Sequence, residues 1–438
     1  MKNKFEYILQ MFKQVYGITG ELPVITYGTE PAGSVFIRQG SIMELTGRKA
    51  VSIRTGDVIW QEWKNMKIPF FFSKGSDKIL EEKEGRWIIN LDIIASAFFL
   101  LSGWQEFFSA EKDQYGRFRY EDSCQHLLGI TSIPVVNYYF DILKTAIEKC
   151  QGKPIPARSW GGHPLAVCLT HDIDTCESAW LQGSFHALKR KDIITPFRLL
   201  FKKLSGHDAW FNFEEILGIE SGYNARSTFF FLPRHEARSG IKNADYRITD
   251  RKFRAVFTGI RNKGSEVGVH GSIGSNIDAR LLNEDMSRAG EGIQGNRFHF
   301  LLFDAKVTPA VLEKCRLRFD SSLGFAEAYG FRNSFCMPFK PYDINNDRAF
   351  NYYEIPLVLM DGTLQKYMKK SPSDCLSGVE ELLKEIRKFG GCFTLLWHNT
   401  HFSEFKYPGW RKVYTDILDM CKKENALFES CSNILNQY

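Results

Sequence analysis

The chain has 438 residues, 44% of them hydrophobic and 25% charged. That is enough apolar material for two or three soluble domains, each with its own core. The formal charge of +6 is small for this length. With no recognised nucleic-acid motif beside it, it gives no basis for nucleic-acid binding. Ten cysteines without a CxxC pair exclude a zinc ribbon and a thioredoxin-type redox motif. Reduced thiols in a cytosolic setting are expected.

The first residues, MKNKFEYILQMFKQVYG, lack a long apolar core and a small-residue cleavage site, so they do not read as a signal peptide and a cytoplasmic protein is expected. Strand-like runs at 51–60 and 67–72 precede helices expected around 91–109 and 134–150. The apolar stretch 93–101, IIASAFFLL, is about half the length needed to span a bilayer, so no membrane span is predicted. Residues 151–164, QGKPIPARSWGGHP, hold three prolines and three glycines and read as a linker. Residues 1–150 are therefore expected to form a mixed α/β domain.

From 165 to 438 the rhythm changes. Apolar runs at 165–170, 227–232, 266–270, 298–303, 315–320, 354–360 and 392–397 alternate with helices expected near 211–224, 249–263, 279–291, 308–314 and 374–389. Near-continuous apolar strands separated by helices predict a parallel sheet buried on both faces. The fold class is α/β, a seven-stranded distorted (β/α) barrel preceded by the smaller α/β domain, with an open doubly wound sheet as the alternative. No Gly-rich phosphate loop follows any of the strands: the one GxGxxG, at 290–295, follows an expected helix and precedes a strand, and GxxxxGK[ST] is absent, which argues against a nucleotide enzyme. The basic stretch 187–203 reads as the solvated face of a surface helix, or as an amphipathic helix for a membrane surface or anionic glycan.

Ligand sites of parallel α/β folds lie at the C-terminal ends of the strands. Those ends carry Asp172 and Asp174, His270, Arg297 and His299, Asp320, and His398. Each alone has a structural explanation: a turn acid, a hydrogen-bonded histidine, a surface charge. Their collection on one rim does not. Asp172 and Asp174, two apart on a strand, share a face and suggest a metal-hydrolase site.

In order and spacing these residues resemble the polysaccharide deacetylase family, the NodB-homology or carbohydrate esterase family 4 group. Thr170-His171-Asp172-Ile173-Asp174 is similar to its first motif, and Glu266-Val267-Gly268-Val269-His270 to the start of its second. Arg297 is similar to the arginine of its third motif, and Leu395 to His398 to its last. The resemblance covers residues 160–438, and the first 150, around SGWQEFF, resemble an accessory domain of some bacterial members. The second motif of the family is usually HxxxH, whereas Gly274 stands four residues after His270 here. His299 is the candidate substitute ligand, with Asn276 and His171 as weaker ones.

The resemblance implies a hydrolase that deacetylates an N-acetylated carbohydrate with a divalent metal, zinc, on Asp174, His270 and His299. Asp172 would be the general base, Arg297 would keep it ionised, and His398 would be the acid for the departing amine. Trp397, Phe402, Tyr342, Phe331 and Phe335 are candidates for stacking on a sugar and Arg332 for contacting one, with core packing the bland alternative for the aromatics. Two rival readings stand beside this one. The first is a glycan-binding protein on the same barrel whose catalysis is impaired by Gly274. The second is an amidohydrolase of a small cyclic amide. Oligomeric state is not legible in the sequence.

Overall fold

The computed structural model describes residues 1–438 except 52, 54, 55, 57 and 239. The expected strand at 51–60 falls partly outside the described residues, and its described part starts the hairpin Ile59–Trp63 with Met66–Phe70. Lys64 and Asn65, with φ of 48° and 65°, form a two-residue turn whose twist matches the two strands. A separate four-stranded sheet runs in the order Ile25–Gly28, Val35–Arg38, Arg86–Ile89, Leu80–Lys83. The run IIASAFFLL is the helix Ile93–Leu101, and all nine of its residues are buried. Asp92 caps it, its Oδ1 accepting the Ala95 N–H at 2.8 Å. A helix apolar all round is what a central core position demands. The expected single helix at 91–109 is broken at Gly103, with φ of 62°, and resumes as Trp104–Phe108.

The second half is built on a curled, wholly parallel sheet. Along it lie Tyr353–Glu354, Phe319–Asp320, Gly295–Phe298, Glu266–Gly271, Ser227–Phe231, Ala166–Ile173, Cys392–Leu396 and Leu359–Met360, with Leu427–Phe428 beside Ala166–Ile173. All eight residues of Ala166–Ile173 are buried, which is why its sequence reads as an apolar run and not as an alternation. The two edge strands belong to one stretch, read from the sequence as the single run 354–360. Its Leu357 N–H bonds the Leu323 carbonyl at 3.1 Å, while its Val358 N–H bonds that of Thr394 at 3.1 Å. One continuous group of buried apolar side chains runs from the first helix, Lys2–Val15, to the last, Cys431–Gln437.

Two expected strands are corrected. The run 298–303 is a strand only to Phe298. His299–Leu301 then form a tight turn with φ of 59° at Phe300 and 55° at Leu301. The run 315–320 is extended only at Phe319–Asp320, because the helix Thr308–Lys314 uses the residues before it and Arg316 turns with φ of 55°. The basic stretch 187–203 belongs to two helices, Ala179–Lys189 and Ile194–Leu204.

Asp320 lies at a strand end but belongs to a buried structural network. It accepts from Asn296 Nδ2 at 2.6 Å and from the Ser322 N–H at 3.0 Å, and Glu354 accepts the Leu323 N–H at 2.8 Å. Burial raises both carboxyls, and the like charge of Asp320 lifts Glu354 further, so the pair holds a proton. A carboxyl raised by folding stabilises fully below its unfolded value, 4.5 for Glu, and that contribution is lost as pH rises through the folded value. Glu354→Gln removes this loss. Thermal unfolding from pH 4.5 to about 8 is expected to show the variant gaining on the wild type as pH rises; parallel curves would contradict the shared proton.

Candidate metal centre

Parallel pairing sets the rim of the site. His270 is opposite Arg297 in register, and Asp172 is opposite Phe230 on the intervening strand. Strand alternation turns Thr170 and Asp172 toward one side and His171 toward the other. His171 is fully buried, with Nδ1 on the Trp397 carbonyl at 2.7 Å and Nε2 on Glu220 Oε1 at 2.7 Å, so it is not available as a ligand. Asn276 lies outside the cavity lining, and Gly274, at φ of 89°, sits against the Arg238 guanidinium, where a Cβ would lie 3.1 Å from its central carbon.

Asp174, His270 and His299 meet at the floor of a cavity of ≈ 480 Å³. His270 Nδ1 is 2.7 Å from the Arg297 carbonyl, which can only accept, so the neutral ring keeps its proton on Nδ1 and presents a lone pair at Nε2, while against the pull of burial the Asp172 and Asp174 carboxylates raise its pKa. That Nε2 is 3.2 Å from Asp174 Oδ1 and 3.2 Å from His299 Nδ1, and His299 Nδ1 is 3.5 Å from Asp174 Oδ1. Ligands about 2.0–2.1 Å from a tetrahedral zinc lie roughly 3.3 Å apart, so the triangle has the size a single small cation requires. Asp174 Oδ1 is buried and has no properly directed hydrogen bond among the described residues. Without a cation it would be an orphaned carboxylate oxygen.

The electrostatics agree. Burial opposes ionisation of Asp174, but the His299, His270 and His398 imidazoles around it hold its carboxyl well below the usual range. Burial pushes His299 down to about 4, with Asp174 only partly offsetting it, which leaves a neutral imidazole ready to coordinate. Two imidazoles and one carboxylate suit a divalent first-row ion with a position left open.

Arg297, fully buried behind the triangle, ties several strands together. It donates from Nη1 to Asp172 Oδ1 at 3.1 Å and to Thr170 Oγ1 at 2.7 Å, from Nε to the Ser321 carbonyl at 2.7 Å, and from Nη2 to Ser321 Oγ at 2.8 Å. It does not reach the cavity, so it acts on Asp172 and not on a ligand. Asp172 does line the cavity, with Oδ2 3.7 Å from His270 Nε2.

His398 enters from the opposite wall, its Nε2 3.6 Å from Asp174 Oδ2. Its Nδ1 lies 2.7 Å from Asp361 Oδ1, and its backbone N–H bonds Asp361 Oδ2 at 2.6 Å. Against the pull of burial, Asp361 pushes His398 up to about 10. Asp361, His398 and His401 also converge, but both Asp361 oxygens are already engaged by His398, so this trio orients a histidine. Asp361 and His401 were not singled out from the sequence. The signal was present for Asp361, a carboxylate directly after the apolar run 354–360, as Asp172 follows 165–170.

The aromatic candidates belong elsewhere. Trp397, Phe402, Tyr342, Phe331 and Phe335 are buried and none of them lines the cavity, which instead has Phe300, Tyr367 and Tyr407. Arg332 makes a bidentate pair with Glu106 of the SGWQEFF segment, both bonds at 2.7 Å, and has no free fork for a glycan. The N-terminal half also supplies a wall of the cavity through Arg117. Arg117 donates to the Phe300 carbonyl at 2.9 Å, and the Tyr115 ring stacks on Phe300 at 5.0 Å, so together they brace the turn that delivers His299.

Arg117→Met is therefore expected to weaken metal binding about tenfold with the fold intact, as losses of groups that orient ligands do. Competition against a chromogenic chelator measures it; an unchanged affinity would show that the turn holds itself.

The profile of a family of unknown function, DUF7033, matches residues 2–152. No curated protein matches the chain. Among solved structures the chain is similar to a protein described as a polysaccharide deacetylase from Mycobacterium smegmatis, with 18% identity, a TM-score of 0.43, and coverage of 65% of this chain and 93% of that one. It is also similar to PuuE allantoinase, with 12% identity, a TM-score of 0.41, and coverage of 64% and 93%. A third is the peptidoglycan deacetylase PdaC from Bacillus subtilis, with 9% identity, a TM-score of 0.30, and coverage of 62% and 91%. At such scores and identities these likenesses carry no chemical argument, and the reading of the site rests on its own geometry.

Proposed function

We propose that the protein is a metal-dependent hydrolase that cleaves the amide of an N-acetylated sugar. The observation that carries this is the triangle of Asp174 Oδ1, His270 Nε2 and His299 Nδ1, with edges of 3.2, 3.2 and 3.5 Å, set beside a separate carboxylate, Asp172. Those three residues would hold zinc. A bound zinc lowers the pKa of water and polarises an acyl oxygen. Asp172 Oδ2 takes the proton of the attacking water, and Arg297, bonded to Oδ1, keeps that carboxylate aimed. His398 gives a proton from Nε2 to the departing nitrogen, and Asp361 on Nδ1 fixes its ring for that transfer. The products are acetate and a free amino sugar. The sugar as substrate is supported by the order of motifs from Thr170 to His398.

The reading of an impaired binding protein rested on Gly274, and His299, 3.2 Å from His270, supplies a nitrogen without it. Hydrolysis of a small cyclic amide remains the second reading, favoured by a cavity of small-molecule size, ≈ 480 Å³.

Asp174→Ala, His270→Ala and His299→Ala are each expected to lose bound metal. Asp172→Asn should keep it and lose about 10²–10⁴-fold in the rate of acetate release from an N-acetylated sugar. Elemental analysis and an acetate assay test both expectations. Equal metal loss in Asp172→Asn and Asp174→Ala would contradict the separation of roles, and turnover of cyclic amides alone would select the second reading.

A further inference from the structure

The helices Ala179–Lys189 and Ile194–Leu204 pack on one another as a hairpin and present the wrong face to solvent for an ordinary surface element. A surface helix turns its large apolar residues inward and its polar ones outward. Here the first helix buries only Ala179, Gly183 and Ala187, while Leu181, Phe185 and Leu188, spaced four and three apart on another face, stand in solvent. The second helix buries only Leu199 and exposes Ile194, Phe197, Phe201 and Leu204, with exposures of 73%, 75% and 79% for the last three. Ten of the sixteen exposed large hydrophobic residues among those described lie between 180 and 204. Scattered exposed apolar residues need no explanation, but a contiguous patch of this kind marks a surface built to be covered.

The charge on the hairpin indicates what covers it. Residues 179–204 hold six Lys or Arg and one acid, Asp192, an excess of five positive charges against +6 for the whole chain. At a hundred degrees per residue, Arg198 and Lys202 follow one edge of the apolar stripe of the second helix, and the loop between the helices carries Arg190 and Lys191. Aromatic and aliphatic side chains in a stripe, edged by cations, match an interface of acyl chains beneath anionic headgroups. No helix among the described residues is long and apolar enough to cross a membrane, so the surface fits lying on a bilayer and not spanning it.

We propose that this hairpin docks the protein on an anionic lipid bilayer. The docking surface adjoins the metal cavity. Gln182, on the first helix, lines that cavity and accepts from Lys406 Nζ at 3.1 Å. Gly183 packs so closely under Phe405 that a Cβ there would come within 2.5 Å of its ring. Docking therefore brings one wall of the cavity to the membrane surface. Lipid binding by the hairpin is independent of the chemistry of the site and is measured without turnover.

The test is cosedimentation of the full chain with vesicles of phosphatidylcholine, alone or with about one third phosphatidylglycerol. Partition into the anionic vesicles is expected to exceed that into neutral ones about tenfold or more and to fall as salt is raised. Phe197→Ser/Phe201→Ser should reduce it about tenfold or more, and Arg198→Gln/Lys202→Gln should reduce it severalfold, both with metal content unchanged. Binding no stronger to anionic than to neutral vesicles would overturn the proposal. So would sedimentation velocity showing self-association that the phenylalanine variant abolishes, in the absence of vesicle binding, since the face would then be an interface between copies of this chain.

Discussion

Three electron-rich atoms held within 3.5 Å of one another at the buried end of a sheet form an arrangement that side chains alone do not favour. A proton on one nitrogen relieves the two edges that meet there, but the third edge still sets lone pairs against each other. A single cation relieves all three. In its neutral form His270 keeps its proton on the nitrogen that bonds the Arg297 carbonyl, which leaves the other free to accept a cation. The rest of the rim follows from this demand, with the Asp172 carboxylate and the His398 imidazole close to the triangle.

Arg297 is the means by which the fold keeps that rim in order. A fully buried guanidinium needs its donors satisfied. It finds Thr170, Asp172 and the two oxygens of Ser321, and its charge lies 4.8 Å over the Phe230 ring. Thr170 Oγ1 in turn donates to the Leu395 carbonyl and Ser321 Oγ to that of Ile355, so one cation ties together five segments of the sheet, reaching across the two strands that separate Gly295–Phe298 from Ala166–Ile173. Asp172 is thereby held next to the triangle but not within it, which is the separation a hydrolytic base requires. The N-terminal half completes the site from the other direction, with Arg117 and Tyr115 gripping the turn after His299.

Most of the rim was legible in the sequence because strands buried on both faces stay apolar until they end, so a polar residue directly after such a run stands out. Asp172, Asp174, His270 and His398 were found in this way. His299 is legible as the substitute ligand from its place two residues after Arg297, but the turn that delivers it is not, since the positive φ angles of Phe300 and Leu301 fall on residues that rarely adopt them within an apolar run. Asp361 escaped notice although it follows the same rule as Asp172. The role of Arg117 depends on a contact across 183 residues of chain, to Phe300, which no local pattern encodes. The hairpin at 179–204 shows a further limit. Amphipathic spacing reveals that a helix has an apolar face, but only packing decides whether that face looks inward.

The most direct measurement is a crystal of the zinc-loaded protein with an anomalous map collected at the zinc edge. The account requires one strong peak within about 2.0–2.2 Å of Asp174 Oδ, His270 Nε2 and His299 Nδ1 together, with Asp172 beside it and not bound. A peak held by other residues, or density at that point explained by a water molecule in fully zinc-saturated crystals, would contradict it.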